Sequence, residues 1–184
     1  MGFYTKKSKT DTRTRLTTTE LTVFAMLGAV MFCSKIIMEL FPNIHLLAMF
    51  TMVYTLVYRQ KALFPIYVYV LLNGVYAGFA TWWIPYLYVW TILWAVTMIL
   101  PKKMPKPAAA VVYPLVCGLH GLCFGILYAP AQAILYGFDL EQTIAWIIAG
   151  FPFDIVHGLG DFVAGLLIIP LVRLLRKMDS YTYF

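Results

Sequence analysis

Charged residues are scarce in this sequence. Lys, Arg, Asp and Glu together make up 12% of the 184 residues, whereas 62% of the residues are hydrophobic. Ordinary soluble domains have about a quarter charged residues, so a water-soluble globular domain is excluded. The apolar runs are close to the ~20 residues that a helix needs to cross the ~30 Å core of a bilayer. Because the ten-residue alternation of barrel strands is also absent, the sequence predicts an all-α integral membrane bundle.

Several catalytic and metal-binding motifs are missing as well. The three cysteines, Cys33, Cys117 and Cys123, show no C-x-x-C spacing, which argues against a metal or redox site. The chain has no G-x-x-x-x-G-K-S/T segment to hold ATP phosphates and no H-E-x-x-H segment to hold zinc. We therefore expect no enzyme activity, no cofactor and no metal site built on these motifs in this chain.

The apolar runs predict six transmembrane helices. Their predicted ranges are 19–40, 45–58, 62–81, 84–100, 108–131 and 152–174. The second run is short, so we expect that helix to be tilted or partly buried by its neighbours. The ranges divide the chain into a basic tail at 1–18, a six-helix membrane domain at 19–177 and a second tail at 178–184.

Basic residues are distributed unevenly along the chain. With six spans, 13 of the 14 Lys and Arg residues fall on one side, in the N-terminal tail and at 59–61, 102–106 and 173–177. Loops rich in Lys and Arg stay in the cytoplasm, so both termini are predicted to be cytoplasmic. A five-span chain would scatter these charges over both faces. The basic cytoplasmic segments then account for the net charge of +6. This charge therefore does not indicate a nucleic-acid partner, and we expect none.

Two helix starts carry the capping-box pattern. The pairs are Thr17 with Glu20, and Asp139 with Gln142. The second pair opens a helix in the last outer loop. One straight helix over 140–177 would be about 57 Å long, which exceeds the bilayer. We therefore predict a short helix at 140–149 and a break near Gly150 and Pro152.

Three ionisable residues lie in the sixth apolar run: Asp154, His157 and Asp161. Their i, i+3, i+7 spacing places them on one helix face, together with Gly150, Gly158 and Gly165. Such a face avoids lipid and contacts other helices or a wet cavity. Three interpretations stay open, namely hydrogen bonding between helices, ligand binding, and metal ligation by the carboxylates and the imidazole.

Polar groups of other runs are predicted at a similar depth. Lys35 and Glu39 are one helical turn apart, and they either neutralise each other or contact a ligand. His120 in the fifth run is explained by helix packing or by ligand contact. Asn73 in the third run and Gln132 at the start of the last outer loop are further candidates. These groups cluster in the outer half of the predicted bundle.

The fourth run carries an aromatic face. Trp83, Tyr86, Trp90 and Trp94 are spaced i, i+3, i+7, i+11 along one side of the predicted helix. Trp83 is also explained by the aromatic belt of a membrane interface, while Tyr86 and Trp90 lie deeper. An aromatic surface near carboxylates and histidines suits a planar molecule with polar edges. The sequence therefore predicts a substrate cavity that opens to the outside.

Several features together resemble the substrate-specific S component of an energy-coupling factor (ECF) vitamin transporter. They are six spans in under 200 residues, cytoplasmic termini, the segment AMLGA with Ala25 and Ala29, and the segment FPFDIVHGLGDF. The resemblance covers nearly the whole chain. It implies a binding subunit in the bacterial plasma membrane, with a micronutrient pocket under the loop between the first two spans. It also implies a transmembrane T component, contacted through Ala25 and Ala29, and two ATP-binding subunits as partners.

The substrate is not named by this resemblance. The segment HGLCFGILY is similar to the fifth span of the thiamine-specific members, in which the histidine contacts the ligand, and this match nominates His120. Those members also offer a carboxylate from span four, whereas residues 84–100 contain none. Flavins, pyrimidines, pterins and cobalamin precursors all remain candidates. The alternative function is a solitary proton-coupled transporter that uses Asp154, His157 and Asp161 as a relay.

Overall fold

The computed structural model describes residues 16–41 and 44–182, and within these ranges the chain is helical and has no strand. The helices are α1 Thr18–Met38, α2 Leu47–Tyr58, α3 Leu63–Ala77, α4 Tyr86–Ile99, α5 Lys106–Leu122, α6 Phe124–Tyr136, α7 Leu140–Gly165 and α8 Ile168–Thr182. Short 3-10 turns at Arg59–Ala62 and Thr81–Trp83 precede α3 and α4. The all-α prediction is confirmed. The five basic residues of the predicted N-terminal tail lie outside the described residues.

Both predicted capping boxes are confirmed. The Thr17 hydroxyl accepts the Glu20 N–H at 3.2 Å, and the Glu20 carboxylate accepts the Thr17 N–H at 3.0 Å. Asp139 accepts the Gln142 N–H at 2.8 Å, and Gln142 accepts the Asp139 N–H at 3.1 Å. Each box satisfies backbone donors that a helix start leaves unpaired. These local patterns therefore set the starts of α1 and α7.

The predicted break near 150–152 is wrong. Helix α7 continues through Gly150 and Pro152 to Gly165, and the chain breaks at 166–167 before α8 begins. With 26 residues, α7 is about 39 Å long, which is close to the full thickness of a bilayer with its headgroups. A proline is tolerated inside such a helix because neighbouring groups can satisfy the freed carbonyl. The predicted sixth span is therefore divided between α7 and α8.

Four helical segments in the described ranges are long and apolar enough to cross a membrane. They are Thr18–Met38, Thr81–Ile99, Lys106–Tyr136 and Leu140–Gly165. The third of these segments contains α5 and α6, which meet at Cys123. The predicted second and third spans correspond to α2 and α3, which have only 12 and 15 residues.

Helix α2 lies at the centre of the bundle. It contacts α1, α3, α4, α5, α7 and α8, and nine of its 12 residues are buried. Its C-terminal end is tied to α4, because Trp94 Nε1 donates to the Arg59 carbonyl at 3.0 Å and the Arg59 guanidinium donates to the Met98 carbonyl at 2.7 Å. A helix surrounded by protein does not have to match the bilayer thickness. Burial therefore explains why a helix this short is stable here.

Large apolar side chains cover the outside of the bundle. Leu40, Ile99 and Ile134 are each 81–83% exposed, and many Leu, Ile, Val and Phe side chains of α1, α3, α5 and α7 are at least half exposed. Soluble monomers rarely expose contiguous apolar patches of more than a few hundred Å². The apolar exterior and the long apolar helices together indicate a protein embedded in a membrane.

Helices α5 and α7 approach each other closely through glycines. A Cβ atom on Gly158 would lie 3.0 Å from the Gly118 carbonyl oxygen, and one on Gly165 would lie 2.7 Å from Pro114 Cα. Small residues allow this approach in a membrane, where helices associate by close packing. Gly150 differs, because nothing lies within 4 Å of the corresponding position there. The contact turns the polar face of α7 towards the interior of the bundle.

Candidate functional site

A cavity of about 150 Å³ lies between α1, α4, α6 and α7. Its lining residues come from five helices and from the segment before α2: Lys35, His45, Leu47, Tyr86, Trp90, Phe124, Phe153, Asp154 and His157. Five of them are candidates named by the sequence, namely Lys35, Tyr86, Trp90, Asp154 and His157. The predicted aromatic face of α4 and the predicted polar face of α7 therefore meet at one cavity.

Aromatic rings form one wall of the cavity. The Trp90 side chain is buried, and its ring centroid lies 5.9 Å from that of Tyr86 and 6.0 Å from that of Phe124. The Trp90 indole N–H has no hydrogen-bond partner among the described residues. Buried donors are normally paired, so this N–H is an unsatisfied polar group close to the cavity. The wall therefore offers a mainly aromatic surface to a ligand.

Asp154 is held in place by the start of α6. Both carboxylate oxygens accept the Gly125 N–H, at 3.2 and 3.1 Å. A Cβ atom at residue 125 would lie 2.3 Å from Asp154 Oδ2, so only glycine permits this approach. The first turn of α6 has no cap from its own N-cap residue, Cys123, and a carboxylate is favourable at this positive helix end. Asp154 thus bonds two helices together and also lines the cavity.

His157 connects the cavity with a buried carboxyl group. Its ring centroid lies 4.8 Å from that of Phe124 and 5.4 Å from that of His45. On the other side, His157 Nε2 is 3.5 Å from Asp161 Oδ2. Asp161 is fully buried, and its carboxyl oxygens accept no hydrogen bond from the described residues. The three predicted polar residues of α7 therefore form a series that runs from the cavity into the bundle.

Lys35 and Glu39 form an ion pair one helical turn apart on α1. The pairing agrees with the self-neutralising interpretation, and the ligand-contact interpretation stays a prediction. Lys35 also lines the cavity, whereas the Glu39 side chain is 44% exposed and is not part of the lining. The pair therefore places one cation at the cavity while Glu39 balances its charge.

The remaining candidates lie away from the cavity wall. His120 stands behind Trp90, with ring centroids 5.6 Å apart and its Nε2 3.3 Å from the Val89 carbonyl. The Trp83 side chain packs against α3, where its Nε1 donates a hydrogen bond to the Val70 carbonyl at 2.8 Å. Asn73 is fully buried in α3 with no partner among the described residues, and Gln132 is half-buried in α6. None of the four lines the cavity.

Sequence reasoning missed four lining residues: His45, Leu47, Phe124 and Phe153. A signal existed for His45, because it follows the loop under which the resemblance places a pocket. Phe124 belongs to the segment HGLCFGILY, in which the resemblance nominates only His120 as a ligand contact. Apolar residues such as Leu47 and Phe153 carry no signal, because a membrane chain offers dozens of them.

Metal ligation by the polar face of α7 has no geometric support in the described part of the chain. No group of three His, Cys, Asp or Glu side chains there is placed to hold a metal ion. The cavity therefore offers rings, one amino group, two imidazoles and one carboxylate as contacts for an organic ligand.

The chain matches no family model, no curated protein and no solved structure. The site must therefore be interpreted from its own chemistry.

Proposed function

We propose that the protein is a membrane-embedded binding subunit that captures a small heterocyclic nutrient for uptake into the cell. One observation carries the proposal: an aromatic wall and four ionisable groups, Lys35, His45, Asp154 and His157, from three separate parts of the chain converge on a single cavity in an apolar bundle. Ligand sites are typically concave and largely apolar, with a few placed polar groups. The positions of Tyr86, Trp90, Asp154 and His157 fit this description.

The size of the cavity favours a ligand with one aromatic ring. Its volume is about 150 Å³, a size that holds a single benzene ring in an engineered protein cavity. Sites for drug-sized molecules reach about 300–1,000 Å³, so flavins, pterins and cobalamin precursors fit poorly. Asp154 suits a ring edge that donates hydrogen bonds, and the Lys35 amino group suits an acceptor. A pyrimidine-like or pyridine-like vitamin fragment has both kinds of edge.

The proposed uptake system is of the energy-coupling factor type. In this proposal the chain is the S component in a bacterial plasma membrane, and a T component with two ATP-binding subunits drives transport. Support comes from α1, whose buried face contains Phe24, Gly28 and Met31. Ala25 is exposed and Ala29 is half-buried, so these small side chains are accessible to a partner helix, which associates best through small residues.

The proposed topology has six crossings and cytoplasmic termini. Four crossings would be the long apolar segments, and α2 with α3 would supply the other two. The central position of α2 supports this assignment, because a helix shielded by its neighbours can be shorter than the bilayer core. The basic segments at 59–61, 102–106 and 173–177 then lie on the cytoplasmic side.

The decisive experiment identifies the bound molecule. The protein is purified in mild detergent from its native host and denatured, and the released small molecules are identified by mass spectrometry. We expect a heterocycle with one aromatic ring, present in wild-type protein and depleted in a Trp90→Ala variant. A Trp146→Ala variant is the control, because Trp146 stacks on Tyr128 and does not line the cavity. If neither the wild-type protein nor either variant releases a heterocyclic compound, the proposal is contradicted.

A second candidate function is solitary proton-coupled transport. The observation that favours it is the series His45, His157 and Asp161, with a ring separation of 5.4 Å and a nitrogen–oxygen distance of 3.5 Å. Intramembrane carboxylates and histidines often serve as proton relays. Uptake of the identified ligand into liposomes that contain only this protein, driven by a proton gradient, would favour this candidate. Uptake that requires ATP and the partner subunits would exclude it.

A further inference from the structure

A second cavity lies at the end of the bundle where the basic loops are found. Its volume is about 310 Å³, and it is bordered by the ends of α2 and α5, by α8 and by the segment between α4 and α5. Five basic side chains line it: Lys102, Lys103, Lys106, Arg173 and Arg176. The proposed nutrient site uses none of these residues, so this cavity needs an explanation of its own.

None of the five basic side chains is neutralised by a carboxylate in the described part of the chain. Among the described residues, no carboxylate forms an ion pair with any of the five, since the Lys and Arg ion pairs there join Lys35 to Glu39 and Lys61 to Glu20. Arg176 donates one hydrogen bond to the Leu56 carbonyl at 3.1 Å, which fixes its guanidinium beside the cavity. Five cations from two separate parts of the chain therefore surround one space, and no residue that the structure describes supplies a counter-charge there.

The start of α5 adds to the positive potential. Lys106 is the first residue of this 17-residue helix, and the preceding Pro105 provides no side-chain cap. The first N–H groups of a helix have no partner within it and carry a partial positive charge, which favours an anion. The helix start and the basic side chains therefore favour the same kind of ligand.

The rest of the lining is mainly apolar. Leu56, Ala109 and Val172 are buried lining residues, and Met104, Tyr113 and Ile169 complete the lining. A free phosphate ion prefers a polar site, because it loses hydration on every side when it is bound. A phospholipid differs, since its phosphate can contact the basic rim while its glycerol and first methylene groups contact the apolar interior. Basic pockets between transmembrane helices are known to hold anionic headgroups in this way.

We propose that this cavity binds the phosphate group of an anionic phospholipid from the adjacent leaflet. The basic side chains and the start of α5 hold the phosphate, and the apolar lining contacts the start of the acyl chains. The lipid thereby bridges α8 and the α4–α5 segment. The proposal does not depend on the identity of the nutrient or on any partner subunit.

Lipid titration monitored by native mass spectrometry tests this site. The detergent-solubilised protein is titrated with phosphatidylglycerol and, separately, with phosphatidylcholine. We expect tighter binding of phosphatidylglycerol. In the triple variant Lys102→Gln, Lys103→Gln, Arg173→Gln, its affinity should fall about a hundredfold, because each basic group near an anionic lipid contributes a factor of about five.

A matched variant separates the site from general charge. The single variant Lys61→Gln removes a cation that pairs with Glu20 and does not line the cavity, and we expect it to bind phosphatidylglycerol like wild type. The matched single variant Lys103→Gln removes one cation of the lining, and we expect its affinity to fall about fivefold. Circular dichroism checks that both variants keep their helix content. Equal losses in the two variants, or no preference over phosphatidylcholine, would overturn the proposal.

A soluble competitor distinguishes a lipid from a free anion. Glycerol 3-phosphate and inorganic phosphate are added to the protein–phosphatidylglycerol complex. If the acyl chains contribute as proposed, neither displaces the lipid at millimolar concentration. Displacement by either compound at micromolar concentration would show a soluble-anion site and would overturn the lipid assignment.

Discussion

Asp154 of α7 accepts the backbone N–H of Gly125 in α6 with both of its carboxylate oxygens, at 3.2 and 3.1 Å. Gly125 is the second residue of α6. The carboxylate therefore caps a neighbouring helix at its positive end, where a negative charge is favourable. Since Asp154 also lines the cavity, one side chain links the packing of two helices to the chemistry of the site.

Substitution of Gly125 should disturb both roles. In Gly125→Ala the new methyl group would lie 2.3 Å from Asp154 Oδ2 and would displace the carboxylate. We expect the protein to lose about 1–3 kcal/mol of stability, which is the effect of leaving a buried donor unpaired. Thermal unfolding in detergent measures this loss. Gly150→Ala is the control, because the site is open and alanine favours a helix by about 1 kcal/mol; equal melting temperatures of the two variants would contradict the capping role.

The two buried carboxyl groups of α7 should respond differently to substitution. Asp154→Ala leaves the Gly125 N–H without an acceptor, so we expect destabilisation by about 1–3 kcal/mol. Asp161 accepts no hydrogen bond from the described residues, so the isosteric Asp161→Asn should leave stability unchanged or raise it. Denaturant unfolding of both variants tests the contrast. A larger loss in Asp161→Asn than in Asp154→Ala would show that Asp161 has a stabilising partner.

The aromatic wall should account for a large part of the ligand affinity. Trp90→Ala and Tyr86→Ala each remove a ring from the cavity, and we expect binding of the co-purifying ligand to weaken by about 1–3 kcal/mol in each case. Calorimetry with the identified ligand on folded variants measures the change. Unchanged affinity in both variants would assign these rings to packing alone.

The alanines of α1 should affect docking and leave ligand binding intact. Ala25 is exposed and Ala29 is half-buried, and neither lines the cavity. The double variant Ala25→Leu, Ala29→Leu places larger side chains on this surface of α1. We expect the double variant to bind ligand normally but to lose co-purification of the T component and ATPases from native membranes. Ala145→Leu with Ala149→Leu is the matched control, since these residues are also one turn apart and exposed on α7. Association that survives only in the control supports the contact, whereas association that survives in both contradicts it.

Cysteine labelling from each side of the membrane tests the topology. In a background without Cys33, Cys117 and Cys123, Lys103→Cys should react only from the cytoplasm and Glu141→Cys only from outside. Both positions are exposed, so accessibility depends on the membrane side. Reversed labelling would overturn the proposed orientation, and labelling of both positions from one side would overturn the six-span arrangement.

Much of the architecture could be predicted because the relevant signals are local. Composition indicated a membrane environment, and the capping pairs that begin at Thr17 and Asp139 form as expected because their hydrogen bonds join residues three positions apart. The ion pair of Lys35 and Glu39 is local in the same sense. Helical periodicity also placed Asp154 and His157 on one face, and both line the cavity.

Other features depend on how neighbouring helices pack, which no local pattern reports. Trp83 and Trp90 share a predicted face, yet Trp83 donates to a carbonyl of α3 while Trp90 lines the cavity. The break predicted near Gly150 and Pro152 does not occur there; the chain breaks at 166–167 instead, so that α7 and α8 are separate helices and neither has the excessive length that motivated the prediction.

The sequence by itself therefore determined the helical class, the membrane environment and the polar and aromatic faces, because these follow from composition and from periods of a few residues. Only the tertiary structure decided which faces meet. The approach of α7 to the start of α6 depends on Gly125, and the central position of α2 depends on its contacts with six other helices. Side chains distant in sequence become neighbours through such packing, and the cavity exists only where they do.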